Sequence, residues 1–279
     1  GKSLLTVSLD GTARRWQVAT GAPMDLPVQH HGSVTAAIFS PNGRTVLAIS
    51  SDGTVQQWDA ETGKLLERPL RNQGAVATVA YSPDGRTIAT GSHDATARLW
   101  YSATGEPHGP PLLHPDRVQM VAFSPDGGTL VTVCLDQAAR LWTTATGEPL
   151  GSPLTHQGRI SAAVFTSDSR TVVTGSWDRT ARFWDALTGK QLGPPLKHKD
   201  QVLALAVSPD DRTVVTSSDD RAVRSWSAPT SLTGAAERLI LWTRLLAGME
   251  LGSGDRLREL DAETWQHYRR RLTELGGPP

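Results

Sequence analysis

Residues 70–105 read LRNQGAVATVAYSPDGRTIATGSHDATARLWYSATG, and this stretch decides the fold. An apolar run holding Val76, Val79 and Tyr81 comes first. Ser82-Pro83-Asp84-Gly85 follows, a turn whose proline and glycine suit the backbone angles of a tight reversal. Arg86 to Ser92 is rich in β-branched residues, His93-Asp94-Ala95 turns again, and Thr96 to Trp100 alternates. Thr104-Gly105 makes one more turn before a looser fourth run. Short strands separated by turn signals predict an all-β chain.

The same text recurs in both directions. Trp16, Trp58, Trp100, Trp142, Trp184 and Trp226 are each 42 residues apart. Asp10, Asp52, Asp94, Asp136, Asp178 and Asp220 keep the same interval, six residues ahead of each tryptophan. A fixed period between about 20 and 50 residues marks a stacked or radial repeat. Four short strands per period make one propeller blade.

Composition narrows the function. The 279 residues carry 28 Lys plus Arg against 28 Asp plus Glu, with a sequence pI near 7.3. That balance gives no footprint for nucleic acid, which needs a basic excess. Cys134 is the single cysteine, so no disulfide framework or cysteine metal cluster is expected, and a reducing, cytoplasmic setting is. No apolar run reaches spanning length, so this segment is not expected to insert in a membrane. Histidine and aspartate recur, but without the close paired spacing of zinc motifs, and neither metal nor cofactor is expected.

The units resemble the WD-repeat β-propeller family in their SPDG turns, their GSxDxTxRxW core and an upstream histidine. The resemblance covers about residues 1–230, although Trp-Asp itself survives only at Trp58-Asp59 and Trp184-Asp185. It implies a hydrogen-bonded chain of histidine, serine or threonine, aspartate and tryptophan in each blade. On that pattern His30, Ser50, Asp52 and Trp58 form one set, His156, Ser176, Asp178 and Trp184 another, and His198, Ser218, Asp220 and Trp226 a third. Asn72 replaces histidine beside Ser92, Asp94 and Trp100, and Cys134 replaces serine between His114 and Asp136. A partly satisfied buried network weakens its surroundings, so blades three and four are expected to be the softest.

Gly1-Lys2-Ser3 aligns with Gly43-Arg44-Thr45, so the first blade is expected to lack its inner strand. The repeat stops near Thr230, which leaves the sixth blade without its outer strand. The expected organisation is a propeller over 1–230, incomplete at its N-terminus and part of a ring of seven blades. A helical extension occupies 231–279. Within it, Thr233 is a candidate cap for a helix to Ala247, Met249 to Leu260 reads as a hairpin, and Asp261 caps a helix carrying Trp265, Tyr268 and Leu272. The repeats and this helical end resemble the C-terminal WD-repeat region of large bacterial proteins, often linked to a serine/threonine kinase, which implies an upstream part of the same polypeptide.

Ser, His and Asp recurring in register with tryptophan read as structure. A catalytic triad occurs once and is recognised by geometry. No enzyme is expected; the alternative is a propeller hydrolase or lyase with its site at the central channel. In the family, the residue before each repeat aspartate and the residue opening each inner strand lie at the rim that commonly holds partners. These include His93, Leu135, Trp177 and Asp219, with Arg117, Arg159 and Gln201. Trp177 falls off the 42-residue beat, and aromatics and arginine dominate binding hot spots. Trp177 flanked by Arg159 and Arg117 is therefore the expected patch for a protein or peptide partner with an acidic or phosphorylated segment.

Overall fold

A computed structural model of the chain describes residues 3–29, 33–50, 53–228, 245, 249–251 and 257–274. Its strands up to Ser227 form six successive antiparallel sheets, each a meander of neighbours in sequence. Sheet one holds β1 (Ser3–Val7), β2 (Thr12–Gln17) and β3 (Pro23–Gln29). Sheet two holds β4 (Val34–Phe39), β5 (Thr45–Ser50), β6 (Thr54–Asp59) and β7 (Leu65–Arg71). Sheet three holds β8 (Val76–Tyr81), β9 (Thr87–Ser92), β10 (Thr96–Tyr101) and the short β11 (Leu112–Leu113). Sheet four runs β12 (Val118–Phe123), β13 (Thr129–Cys134), β14 (Ala138–Thr143), β15 (Pro149–Thr155). Sheet five runs β16 (Ile160–Phe165), β17 (Thr171–Ser176), β18 (Thr180–Asp185), β19 (Gln191–Lys197). Sheet six has β20 (Val202–Val207), β21 (Thr213–Ser218) and β22 (Val223–Ser227). Among the described residues the first sheet has no inner strand and the sixth no outer one, in line with the alignment of the repeats.

The turns explain why the sequence reverses where it does. In Ser82-Pro83-Asp84-Gly85 the Ser82 hydroxyl donates to Asp84 Oδ1 at 2.6 Å and accepts the Thr87 amide at 2.9 Å. Asp84 Oδ1 also accepts the Arg86 amide. The same bond from a hydroxyl to a side-chain Oδ1 two residues on recurs at Ser40–Asn42, Ser124–Asp126, Thr166–Asp168 and Ser208–Asp210. Gly85 adopts φ 71°, a left-handed angle that costs a residue with a Cβ. The outer strands β3, β7, β15 and β19 all contain proline, which lacks the N–H that a further strand would use.

The core lies between sheets. One buried cluster joins Val131, Ala139 and Leu141 of sheet four to Ile160, Phe165 and Trp184 of sheet five. Equivalent clusters fill the seams between sheets one and two, two and three, and three and four. Each repeat therefore buries its apolar faces only against its neighbours. Gly175 shows how close that approach is, since a Cβ there would lie 2.8 Å from Val202 Cγ1. At the two ends the corresponding faces are open. Val223 is 71% exposed where Ala181 is 0%, and Leu4 is 57% exposed where Val172 is 0%.

Every inner strand from β4 to β20 carries a bulge at its second residue, shown by a register shift after Val34, Val76, Val118, Ile160 and Val202. A bulge re-aims the extra side chain. Here those residues are Thr35, Ala77, Gln119, Ser161 and Leu203.

The chain divides into two compact units, Gly1–Ser227 and Ala228–Pro279. In the second, β23 (Met249–Leu251) pairs with β24 (Leu257–Glu259), forming the expected hairpin strands. Helix α1 (Ala262–Glu274) begins where Asp261 Oδ1 accepts the Thr264 amide at 2.8 Å. Leu272 is buried, and the Arg269 guanidinium lies 5.4 Å from the Trp265 ring. The helix expected from Thr233 to Ala247 lies outside the described residues apart from residue 245.

Candidate partner-binding face

In an antiparallel meander the first and third strands begin, and the second and fourth end, at the same edge. The predicted rim residues meet there in pairs through the backbone. The Trp177 amide donates to the Arg159 carbonyl at 2.9 Å, Leu135 to Arg117 at 3.0 Å, His93 to Ala75 at 2.8 Å and Asp219 to Gln201 at 2.9 Å. His93, Arg117, Arg159, Trp177 and Asp219 are exposed, while Leu135 and Gln201 are half-buried. Ser51, equivalent to Trp177 in blade two, lies outside the described residues.

Blade five brings two of these side chains together. The Arg159 guanidinium lies 5.0 Å from the Trp177 ring centroid, and Trp177 remains 42% exposed. Arg159 Nε donates to Gln119 Oε1 at 2.8 Å, and Gln119 Nε2 donates to the Ile160 carbonyl at 2.6 Å. Gln119 is the bulged residue of β12, so the bulge turns its carboxamide sideways onto the next blade. The arginine is thus fixed by an aromatic face on one side and a carboxamide on the other. Among the described residues, no hydrogen bond, ion pair or ring contact links Arg117 to Arg159 or Trp177, and the side-chain hydrogen bond to Arg159 comes from Gln119. The signal for Gln119 was present: glutamine stands where other blades have Thr35, Ala77, Ser161 and Leu203.

Below Trp177 the turn is anchored on both sides. Trp184 Nε1 donates to Thr174 Oγ1 at 2.7 Å, and Thr174 Oγ1 lies 2.7 Å from His156 Nε2. His156 Nδ1 lies 2.9 Å from Asp178 Oδ2. With Nδ1–H donating to the carboxylate, Nε2 accepts the threonine hydroxyl, and one polarised chain runs from tryptophan to aspartate. Burial opposes the charge on Asp178, yet hydrogen bonds from His156, Thr180 and the Gln157 amide hold its carboxyl well below the usual carboxylate range. Arg182 completes the set at 3.2 Å.

This geometry corrects the sequence reading, which gave the hydroxyl to Ser176. Ser176 Oγ instead donates to the Gly158 carbonyl and accepts the Asp178 amide. In five of the six blades the tryptophan partner is a threonine ten residues earlier: Thr6, Thr90, Thr132, Thr174 and Thr216, at 2.7 to 3.0 Å. Cys134 therefore breaks nothing. Its thiol donates to the Asp116 carbonyl, the role Ser218 plays toward Asp200. Blade four departs elsewhere: His114 Nδ1 bonds the Leu112 carbonyl at 2.9 Å, and Asp136 pairs with Arg140 at 2.6 Å. Burial pushes the His114 pKa down to about 4. In blade three Asn72 Oδ1 accepts the Thr90 hydroxyl at 2.9 Å, although Asn72 Nδ2 is buried without a partner. In blade six His198 bonds Thr216 and Arg224.

The larger defect is in blade two, which the sequence reading took as complete. Ala48 occupies the threonine position, and Trp58 Nε1 is buried with no hydrogen-bond partner. His30 and Asp52 of that set lie outside the described residues.

Comparison with known proteins agrees with the architecture. Five segments, residues 26–59, 65–101, 112–143, 147–185 and 190–227, match the family model described as WD domain, G-beta repeat. A crystal structure of the computationally designed Ika8 protein is similar at 29% identity and a TM-score of 0.72, covering 81% of this chain and 68% of that one. No curated protein matches the chain. No helix among the described residues is long and apolar enough to cross a membrane. Repeats in register, four-stranded blades and the family match together make this chain a member of the WD-repeat family.

Proposed function

We propose that the propeller is a non-enzymatic platform for protein–protein interaction, serving as a cytoplasmic sensing or scaffolding module of a signalling protein. Its main partner surface is the blade-five rim at Trp177 and Arg159, with Arg117, His93, Leu135, Gln201 and Asp219 on the same edge. The observation that carries this reading is the exposed Trp177 with Arg159 fixed against its ring. The fold does not demand tryptophan there, since the equivalents include Leu9, His93, Leu135 and Asp219. Among the described residues Arg159 makes no ion pair, so a guanidinium held in one geometry faces solvent without an anion. That arrangement suits an acidic or phosphorylated segment, with the indole as its apolar anchor.

The recurring Ser, His and Asp support this reading over a channel hydrolase. The hydroxyl facing His156 belongs to Thr174, which is 0% exposed and already accepts the Trp184 indole. A nucleophile must reach its substrate.

The test compares wild type with Trp177→Ala and Arg159→Glu in pull-downs and on arrays of acidic, phosphorylated and neutral peptides. Loss of binding at an unchanged melting temperature is expected for both variants, with acidic or phosphorylated peptides preferred. Equal recovery of partners by all three proteins refutes the proposal.

A further inference from the structure

The seam between sheets two and three departs from the repeat on the edge opposite Trp177, where first-to-second and third-to-fourth strand turns lie. Gln57 on β6 stands where β10, β14 and β18 place Leu99, Leu141 and Phe183, all buried. Tyr81 on β8 stands where other inner strands place Phe39, Phe123 and Phe165, and Ser102 stands where Ala60 and Ala186 occur. Thr45 Oγ1 lies 3.0 Å from Tyr81 Oη, and Gln57 Nε2 donates to the same oxygen at 3.2 Å. Gln57 is only 7% exposed, yet among the described residues nothing donates to its Oε1. The Nε2 bond serves the seam, whereas Oε1 is not among the buried unpartnered atoms, which in this blade include Gln56 Oε1 and Trp58 Nε1, so it is reached from the cleft and is free to accept from an occupant.

The carboxamide lines an open cleft of about 540 Å³ with Ser40, Asn42, Thr45, Leu66 and the turn Ser102 to Gly105. That volume lies within the range of small-molecule sites. No lining side chain is ionisable, so a charged ligand would lose its hydration without gaining a partner. The groups present are hydroxyls and carboxamides, which both donate and accept. A hollow of about 440 Å³ that shares Gly85 and the turn Ser102 to Thr104 with this cleft presents Tyr101, 46% exposed, with its ring 4.4 Å from His108, and carries Arg86 and Glu106, one charge of each sign, at its wall. A flat ring beside a neutral polar cleft gives an apolar platform next to paired donors and acceptors.

We propose that this seam is a second binding site, independent of blade five, for a neutral saccharide whose hydroxyl donates to Gln57 Oε1 while a neighbouring sugar ring lies on Tyr101. The repeat itself supplies the control variant. Gln57→Leu combined with Tyr81→Phe restores the apolar seam of the other blades and should melt no lower than wild type.

Cellobiose, maltose and chitobiose at about 10 mM are titrated into the full chain and followed by two-dimensional NMR and calorimetry. At least one should shift the Gln57 side-chain amide resonances, and binding should weaken at least about tenfold, or about 1.4 kcal/mol, in the double variant and in Tyr101→Ala. Trp177→Ala should bind as wild type does. A glycopeptide compared with its bare peptide separates a protein-borne sugar from a free one: tighter binding of the glycopeptide than of the disaccharide supports a protein-borne source. Equal binding of the bare peptide overturns the saccharide assignment. Failure of all three disaccharides, or undiminished binding by the double variant, overturns the site.

Discussion

Completing the hydrogen-bonded set of blade two should stabilise the chain. Ala48 is 0% exposed and packs with Ala13, Val34, Val46 and Trp58. The five other blades place threonine at this position, and each threonine accepts its tryptophan at 2.7 to 3.0 Å. Ala48→Thr therefore offers Trp58 Nε1 an acceptor at a distance the fold already accommodates. A net intramolecular hydrogen bond contributes about 0.5–1.5 kcal/mol, and an unmatched buried donor costs about 1–3 kcal/mol. Against this stands the added volume, because overpacking a filled core costs about 1–3 kcal/mol. The strand favours a β-branched residue, and alanine is the smallest occupant of this column. The expected balance is a gain of about 1 kcal/mol, or about 2–4 °C in melting temperature for a unit of this size.

Ala48→Val separates the causes, because valine adds nearly the same volume without the hydroxyl. Thermal melts and urea titrations of the three proteins should rank Thr above Val, with a difference of about 1 kcal/mol. A valine variant as stable as the threonine variant would show that volume, and not the indole bond, sets the stability of this blade. A threonine variant less stable than wild type would refute the reasoning outright.

Asp178→Ala should destabilise blade five by about 1–3 kcal/mol, since it strands buried His156 and removes the Arg182 partner; an unchanged melt would remove the structural role assigned to this set. His114 titrates lower in the folded chain than its usual value of 6.5, at about 4, because burial disfavours its charged form. The unfolded chain thus takes up a proton first, and stability present above about pH 6.5 should fall as pH drops toward 4. His198 shifts in the same direction, so His114→Asn should flatten this slope without abolishing it. The exposed faces at Leu4 and Val223 should drive self-association; light scattering should show particle mass rising with concentration, and falling in Leu4→Lys combined with Val223→Lys.

The period was legible because every blade buries the same columns against its neighbours, so the sequence repeats wherever the seam repeats. The hydroxyl relay was not read correctly, and cross-strand register shows why. Thr174 and Ser176 lie on one strand face, two residues apart, so alternation alone leaves both available. Trp184 pairs with Val172, which makes Thr174 its diagonal neighbour and leaves Ser176 one step too far. Gln119 escaped for a related reason. Strict alternation cannot reveal where a bulge re-aims a side chain, and only the shifted pairing after Val118 places that carboxamide beside Arg159.

What separates a tolerated departure from a functional one is whether the fold absorbs the new group. Cys134 departs from serine, yet its thiol takes over the serine hydrogen bond, so nothing is left over. Asn72 departs from histidine and is half absorbed, with Oδ1 bonded and Nδ2 buried alone. Gln57 goes further, because its Nε2 is engaged and its Oε1 opens into a cleft without a donor. Arg159 goes furthest, since Gln119 and Trp177 fix its position without supplying an anion. A buried leftover with no opening is a cost to stability, as at Trp58; a leftover that opens to solvent in a fixed geometry is a place for another molecule. By that criterion the blade-five rim and the seam between sheets two and three are the two departures from the repeat that we propose for recognition.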